Sequence, residues 1–320
     1  MCHAVFRRPR ACELAALAVL SVTAAAQPYP VKVIRIETTE AGGYPDSVAR
    51  LIAQGLGARL GQPVIVENRA IAAVEAVAKA PPDGYTLLFY TSVLWLLPFL
   101  RDGVSWDPQR DFSPVMLATS SPSILVVHPA LPVKTLRELI ALAKARPGEL
   151  NYSTSSPGSG NHLAAELFRV MANLKLVRIN YKGTGSALTS LDAGETQLSF
   201  PSAGSVMPHW RAGRVRALAV TSALPSALAL ELPTVAAAGL PGYEATAYNG
   251  VLAPAGTPAA IIATINRIAS EAIHRHDVRQ RIFDSGGEVV GGTPEEFAAV
   301  IRLEMAKWGR VIREAGLRGE

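Results

Sequence analysis

Residues 151–163 read NYSTSSPGSGNHL, and seven of these thirteen residues are Ser, Thr or Gly. The stretch runs straight into AAELFRVMA, where Leu163, Leu167 and Phe168 have the spacing of an apolar helix face. A Gly/Ser-rich turn at a helix start brings hydroxyls and unpaired backbone N–H groups to one point, and the helix dipole favours negative charge there. Ser159 stands where it would cap that helix. Two more segments carry the same chemistry. In TTEAGGYPD (38–46), Gly42 and Gly43 free the backbone just ahead of Asp46, the expected cap of the next helix; in the other, Thr91 and Ser92 follow Tyr90 at a strand end. Any one of these loops reads equally well as a capped turn. Three in one chain point to a site for a carboxylate.

Other constellations carry less. Ser159 and His162 are three apart at a helix start, but a nucleophile needs a base oriented by a third group, and the sequence supplies no candidate for it. His274 and His276 alternate on a helix and share no face, which argues against zinc. Lys182 reads as a solvated turn residue. Tyr248 and Asn249 suit either a loop closing over a ligand or a buried strand end. No metal or cofactor is expected.

These loops must be held by a scaffold, and its pattern is alternation. Strands are expected at 31–37, 63–68, 85–90, 123–129, 175–181, 196–200 and 216–222. Between them lie helices. Asp46 opens one whose Val48, Leu51, Ile52, Leu56 and Leu60 share a face. Thr135 with Glu138, and Thr293 with Glu296, form capping boxes. Thr257-Pro258 and Thr293-Pro294 each place a cap before a proline at the first helical position. Gly316 is the expected stop of the last helix. The stretch Leu87 to Leu100 reads as a buried strand and turn, too short and too interrupted to span a membrane. The fold class is α/β with parallel sheets, and in such sheets ligands sit beyond the carboxyl ends of the strands.

The chain has 320 residues, 49% hydrophobic and 18% charged, which suits a globular protein of two domains. Arg7, Arg8 and Arg10 precede an apolar run that ends in Ala24-Ala25-Ala26, the pattern of a secretory signal peptide over residues 1–26, cut after Ala26. Both cysteines, Cys2 and Cys12, fall inside it, so the mature chain holds no disulfide or thiolate site. Three arginines and Glu13 leave with the leader, reducing the net charge from +5 to +3. No basic run with interleaved aromatics is present, and nucleic-acid binding is not expected.

The stretches GGYPDSVARLIAQGLGARLGQPVIVENR, EAVAKAPPDGYTLL, NYSTSSPGSGNHLAAELF, INYKGTGSALTSL, RAGRVRALAVTS, LPTVAAAGLPGYE and VLAPAGTPAAII together resemble the Bug family, the periplasmic receptors of tripartite tricarboxylate transporters. The resemblance runs from about Tyr29 to Leu317. It implies a type II periplasmic binding protein fold: two α/β lobes, a hinge and a central ligand cleft. The crossings would lie near Leu125 to Val127 and Leu218 to Thr221. Residues 28–124 plus 222–320 would then form lobe one and 125–221 lobe two.

The family's G-G-x-x-D loop falls on Gly42, Gly43 and Asp46, with Glu40 and Ala41 just before it also expected to face the ligand, and its second on Asn151, Tyr152, Thr154, Ser156, Gly158, Ser159, His162 and Leu163. Its Y-K-G turn falls on Tyr181, Lys182 and Gly183. Thr91, Ser92, Pro201, Ala203 and Tyr248 complete the expected ligand-facing set. Thr154 and Ser156 replace the commoner Ser and Gly. The segment before Gly42 is shorter than usual and carries Glu37 and Glu40 where an apolar strand end is common. Many members have Phe-Asp where this chain has Phe200-Pro201; an Asp could answer a ligand ammonium and Pro201 cannot, so plain carboxylic acids are favoured over amino acids. The implied protein is a monomeric periplasmic receptor that delivers a di- or tricarboxylate or an aromatic acid to transporter membrane subunits. An extracytoplasmic sensor subunit signalling to a membrane kinase would need the same cleft. A secreted hydrolase is disfavoured, since no acid, base and nucleophile converge.

Overall fold

The structure is a computed structural model and describes Met1, His3 and residues 29–155 and 158–318. Apart from Met1 and His3, the expected leader and its cleavage point lie outside the described residues. The chain opens with β1 (Ile34–Thr38), α1 (Tyr44–Leu60), β2 (Val64–Asn68), α2 (Ala72–Ala78), β3 (Thr86–Thr91) and α3 (Val93–Leu100). It then runs through β4 (Phe112–Pro122), β5 (Ile124–Val127), α4 (Leu136–Ala145), β6 (Asn151–Thr154), α5 (Gly160–Met171) and β7 (Val177–Asn180). Next come α6 (Thr184–Asp192), β8 (Leu198–Ser199), α7 (Ala203–Arg211), β9 (Arg216–Val220) and the short α8 (Val235–Ala238). The described chain finishes with β10 (Thr246–Pro254), α9 (Ala259–His274), α10 (His276–Asp284), β11 (Glu288–Val289) and α11 (Pro294–Ala315).

Two sheets result, ordered β11-β4-β10-β3-β1-β2 and β7-β6-β8-β5-β9. They are mixed rather than parallel. β1 pairs parallel with β2 and β3, and β6 with β7 and β8, while β4, β10 and β11 in one sheet and β5 and β9 in the other run antiparallel to their neighbours. The antiparallel strands belong mostly to the segments that carry the chain between the lobes.

Strand alternation assigns the cores. In the first sheet Leu87 and Phe89 join Ile34, Ile36, Ile52, Leu56, Ile265 and Ile273 on the face covered by α1 and α9. Leu88 and Tyr90 point to the other face, with Val74, Trp95, Phe297 and Trp308. That second core continues into the other lobe through Leu125, Val127, Leu163 and Phe168, because α11 packs on α5. Ile124 and Val126 face the remaining core with Leu188, Leu191 and Val206. Each such fully buried aliphatic side chain contributes about 1.5–3 kcal/mol.

Several local expectations change. The turn expected after β3 is the helix α3, even though Pro98 lies inside it. A proline there leaves the carbonyl four residues back without its helical donor, and the Leu94 carbonyl instead accepts the Trp106 indole N–H at 2.9 Å. Gly43, not Asp46, is the N-cap of α1, and Asp46 lies in its first turn. Pro258, not Thr257, occupies the N-cap of α9; the Thr257 hydroxyl donates back to the Pro254 carbonyl at 2.8 Å. Both capping boxes form, and Gly316 ends α11 at φ 68°.

The chain leaves the first sheet at Ser123, between β4 and β5, and returns between Ala245 and Thr246. Leu218 to Val220, expected at a crossing, lie within β9. Residues 222–245, expected in lobe one, pack on the second sheet: Leu228 and Leu232 join its core, Thr234 bridges Val220, and the Tyr243 hydroxyl donates to the Ala164 carbonyl at 2.8 Å. Thr221 joins the two crossings. Its fully buried hydroxyl accepts from Ser123 N at 2.8 Å and donates to the Ala245 carbonyl at 2.7 Å, while its backbone bonds Ser123 O and Ala245 N at 2.9 Å each. Thr221→Val keeps the shape and leaves both hydroxyl partners unsatisfied, a loss of about 1–3 kcal/mol. Urea unfolding of this variant should show that loss, with Thr221→Ser retaining most of the wild-type stability.

Candidate functional site

The loops that follow β1 and β3 meet at the carboxyl edge of the first sheet. Thr39, Glu40, Ala41, Gly42, Gly43 and Pro45 form one wall of a groove of about 640 Å3, and Tyr90, Thr91, Val93, Leu97 and Arg101 form another, with Ile71 between them. Gly42 has φ +82°, a backbone conformation that glycine adopts without strain. Thr91 Oγ1 accepts from Val93 N at 3.2 Å and so ties the start of α3. The Thr38 hydroxyl donates to the Phe89 carbonyl at 2.8 Å and locks β1 to β3 just beneath the groove.

Asp46 organises the first loop rather than lining the groove. Its side chain is 5% exposed. Oδ2 accepts from Gly42 N at 2.8 Å, while Oδ1 accepts from Asn68 Nδ2 at 2.9 Å and meets Arg50 Nε at 3.0 Å. Burial raises its pKa, but the donors from Gly42, Asn68 and Arg50 outweigh that effect and hold the carboxyl below its usual range. The Gly42 amide is therefore occupied by the protein's own carboxylate. Glu37, read as a departure at the strand end, also faces away: it is 3% exposed and pairs with Arg69 Nε at 3.1 Å. Tyr90 is 4% exposed at the edge of the groove, and burial together with the nearby Glu40 carboxylate pushes its phenol up to about 12, so it stays a donor at neutral pH.

In the second lobe the loop from β6 to α5 forms a compact polar knot. Ser155 Oγ, Ser159 Oγ and Asn161 Oδ1 make a triangle with sides of 2.9, 2.8 and 2.5 Å. Ser159 holds the N-cap position without a side-chain capping bond, because its hydroxyl is used in that triangle. His162 is 1% exposed, with Gly158 N at 2.9 Å from Nδ1 and Arg178 Nη1 at 2.7 Å from Nε2, so its ring braces the loop and does not serve Ser159. Gly158 has φ +78°, and a Cβ there would lie 2.7 Å from Leu100 Cδ1 of α3. Thr154 Oγ1 and Asn161 Nδ2 are buried with no partner among the described residues. Ser156 lies outside the described residues.

Glu40, Ala41, Gly42, Gly43 and Thr91 are thus brought together. Thr154, Gly158, Ser159 and His162 form their own cluster in the other lobe. The rest sit elsewhere. Ser92 lines a small cavity of about 20 Å3 at the lobe junction with Ser123, Gly160, Leu163 and Trp308. Gly183 is the extended N-cap residue of α6. Pro201 is buried beside the first crossing, its carbonyl accepting from Ile124 N at 2.9 Å. Ala203 is fully buried in the core with Val126 and Leu188. Tyr248 packs on the core shared by the lobes, and its hydroxyl donates to Glu244 Oε1 at 2.9 Å. Ile71, Val93, Leu97 and Arg101 line the groove without any sequence signal that marks them, and Tyr90, legible only as a strand end, joins them.

The family model for the tripartite tricarboxylate transporter family receptor matches residues 48–317. The chain belongs to this receptor family. Protein BugT of Bordetella pertussis is 34% identical over 310 residues, covering 95% of each chain. A protein of Pseudomonas sp. strain P51, from a tcbD-tcbE intergenic region, is 36% identical over 278 residues, 85% of this chain and 83% of its own. Among solved structures, R. palustris Rpa4515 with adipate is similar at 34% identity and TM-score 0.76, covering 90% of this chain and 98% of its own. MatC from Rhodopseudomonas palustris with bound malate is similar at 30% identity and TM-score 0.73, over 89% of this chain and all of its own.

The receptor family consists of periplasmic substrate-binding proteins with two lobes, not enzymes. In this receptor Asp46 holds the Gly42 amide from within the loop, and its contribution follows from the sign of its shift. A depressed carboxyl stabilises the fold above its unfolded pKa and loses that contribution as pH falls through the folded value. Asp46→Ala should lower unfolding stability at neutral pH by about 2 kcal/mol. The gap to wild type should narrow as denaturation is repeated below the ordinary carboxylate range.

Proposed function

We propose that the protein binds a small carboxylate between its lobes in the periplasm and delivers it to membrane subunits of a tripartite tricarboxylate-type transporter. The observation that carries this reading is the pair of donor-bearing loops. One lobe offers the Gly42–Gly43 turn, the Tyr90 phenol and the start of α1 around an open groove. The other offers a loop at the start of α5 in which Thr154 Oγ1 and Asn161 Nδ2 have no partner among the described residues. Buried donors of this kind are stabilised when an acceptor reaches them. Relatives solved with adipate and with malate support a carboxylate as that acceptor.

In this reading the lobes turn about Ser123 and Ala245 and bring the second loop over the groove, as hinge closure does in binding proteins of two lobes. Export on a leader cleaved near Ala26 belongs to the same proposal. So does a preference for plain carboxylic acids, because Pro201 gives a ligand ammonium no counter-charge. Neither the fold nor the relatives favour the signalling alternative.

A ligand that binds only the native state raises its melting temperature, and at a hundredfold excess over Kd the gain is about 2.7 kcal/mol. The mature protein screened against mono-, di- and tricarboxylates, aromatic acids and amino acids should show a shift for at least one plain carboxylate, confirmed by calorimetry. A shift confined to amino acids would remove the Pro201 argument, and no shift with any acid would overturn carboxylate binding. Cells deleted for the protein should also lose uptake of the acid that binds.

A further inference from the structure

Among the described side chains that line the lobe-one groove, Glu40 is the one acidic residue and Arg101 the one basic residue. Asp46, beside it, is already matched by Gly42, Asn68 and Arg50. Glu40 and Arg101 are both exposed, and neither side chain makes an ion pair or hydrogen bond among the described residues. A carboxylate at the Gly42–Gly43 turn therefore has a like charge on its own loop and Arg101 as the sole side-chain cation among the described groove residues.

The position of Arg101 sets what it can reach. Thr91 and Ser92 lead into α3 at one end, and Arg101 is the C-cap residue at the other. A helix of this length rises about 12 Å, so the groove follows α3 from the first loops toward the arginine. A cation is favoured at a helix C-terminus. Ile71, Val93 and Leu97 are half-buried along this path and give it an apolar lining. With the like charge of Glu40 confined to the near end, the single cation at the far end of the apolar strip matches a ligand with an aliphatic middle and a second anionic group.

We propose that Arg101 determines ligand specificity by taking the far carboxylate of an α,ω-dicarboxylate whose near carboxylate sits at the Gly42–Gly43 turn, with the methylene chain over Val93 and Leu97. This rests on the carboxylate-binding reading above. Glu40 acts in the opposite sense, weakening every anion that enters the near end. The planar guanidinium can hold a carboxylate through two parallel hydrogen bonds, which a lysine cannot reproduce.

Calorimetry with adipate and hexanoate, and with suberate and octanoate, separates the far carboxylate from the chain. In at least one pair the wild type should bind the diacid about tenfold or more tighter than the monoacid, as expected for a charge-assisted bidentate contact. Arg101→Gln should remove that difference by weakening the diacid alone, and Arg101→Lys should restore part of it. Glu40→Gln should tighten diacid and monoacid together. Because Arg101 is exposed and its side chain unbonded among the described residues, both variants at that position should melt with the wild type. Equal affinity of wild type for diacid and monoacid, or an Arg101→Gln variant that leaves the diacid unchanged or weakens both acids alike, overturns the role of Arg101 while carboxylate binding stands. If none of the four acids binds the wild type while another carboxylate of the wider panel does, the role of Arg101 falls and the carboxylate reading stands; if no acid of that panel binds, both fall.

Discussion

The two lobes depend on a single buried joint at Thr221. Where a chain passes from one sheet to another its backbone groups leave one ladder before they enter the next, and in a dry interior such groups need other partners. Ser123 and Ala245 are the two passages, and Thr221 meets both with its backbone and its hydroxyl. The joint explains why the sheets are mixed. β4 and β10 run antiparallel beside each other because one carries the chain out and the other carries it back, and β5 and β9 continue the same pair in the second lobe.

Around that joint the lobes touch on more than one side. The apolar packing of α11 on α5 fuses part of the two cores. Elsewhere the Glu288 carboxylate of β11 accepts from Ser226 Oγ at 3.0 Å and Ala227 N at 2.8 Å in the segment that packs on the second sheet. Near it, Gly286 lies so close to Gly204 that a Cβ on Gly286 would come 2.4 Å from the Gly204 Cα. These contacts cover the first turn of α7 and bury Ala203 at the lobe junction.

Strands with regular apolar content are legible in the sequence: β1, β2, β3, β5, β7, β8 and β9 fall within or beside the runs whose β-branched and apolar residues predict them. β4, β6 and β10 escape such a reading because their apolar pattern is broken. Thr119, Ser120 and Ser121 of β4, like Asn249 of β10, put polar residues into the crossing strands, where they hydrogen-bond across the joint region instead of filling a core. NYST reads as a loop until β7 and β8 are seen on either side of it. Pro98 hides α3, because its cost is offset by the Trp106 indole from beyond the end of the helix, a compensation that no local pattern reveals. For the site, glycines and hydroxyls mark the loops, since their chemistry is local. Which side chains face the groove depends on strand register and helix phase, so Arg101 goes unmarked.

The distribution of charge gives the site its logic. The first loop holds a carboxylate of its own, Asp46, on the Gly42 amide, and that fixes the turn before any ligand arrives. Part of the anion-binding capacity of the α1 start is thereby used for rigidity, and Glu40 adds a further negative charge nearby. In the proposed reading, contacts from the second lobe add to what this loop offers an anion. Further donors stand on the second lobe, where Thr154 Oγ1 and Asn161 Nδ2 have no partner among the described residues. When the favourable contacts of a ligand are divided between two bodies, only the state that brings those bodies together collects all of them, and the ligand shifts the population toward that state by its differential affinity. In the proposed reading, that division of contacts would couple occupancy to closure about the joint at Thr221.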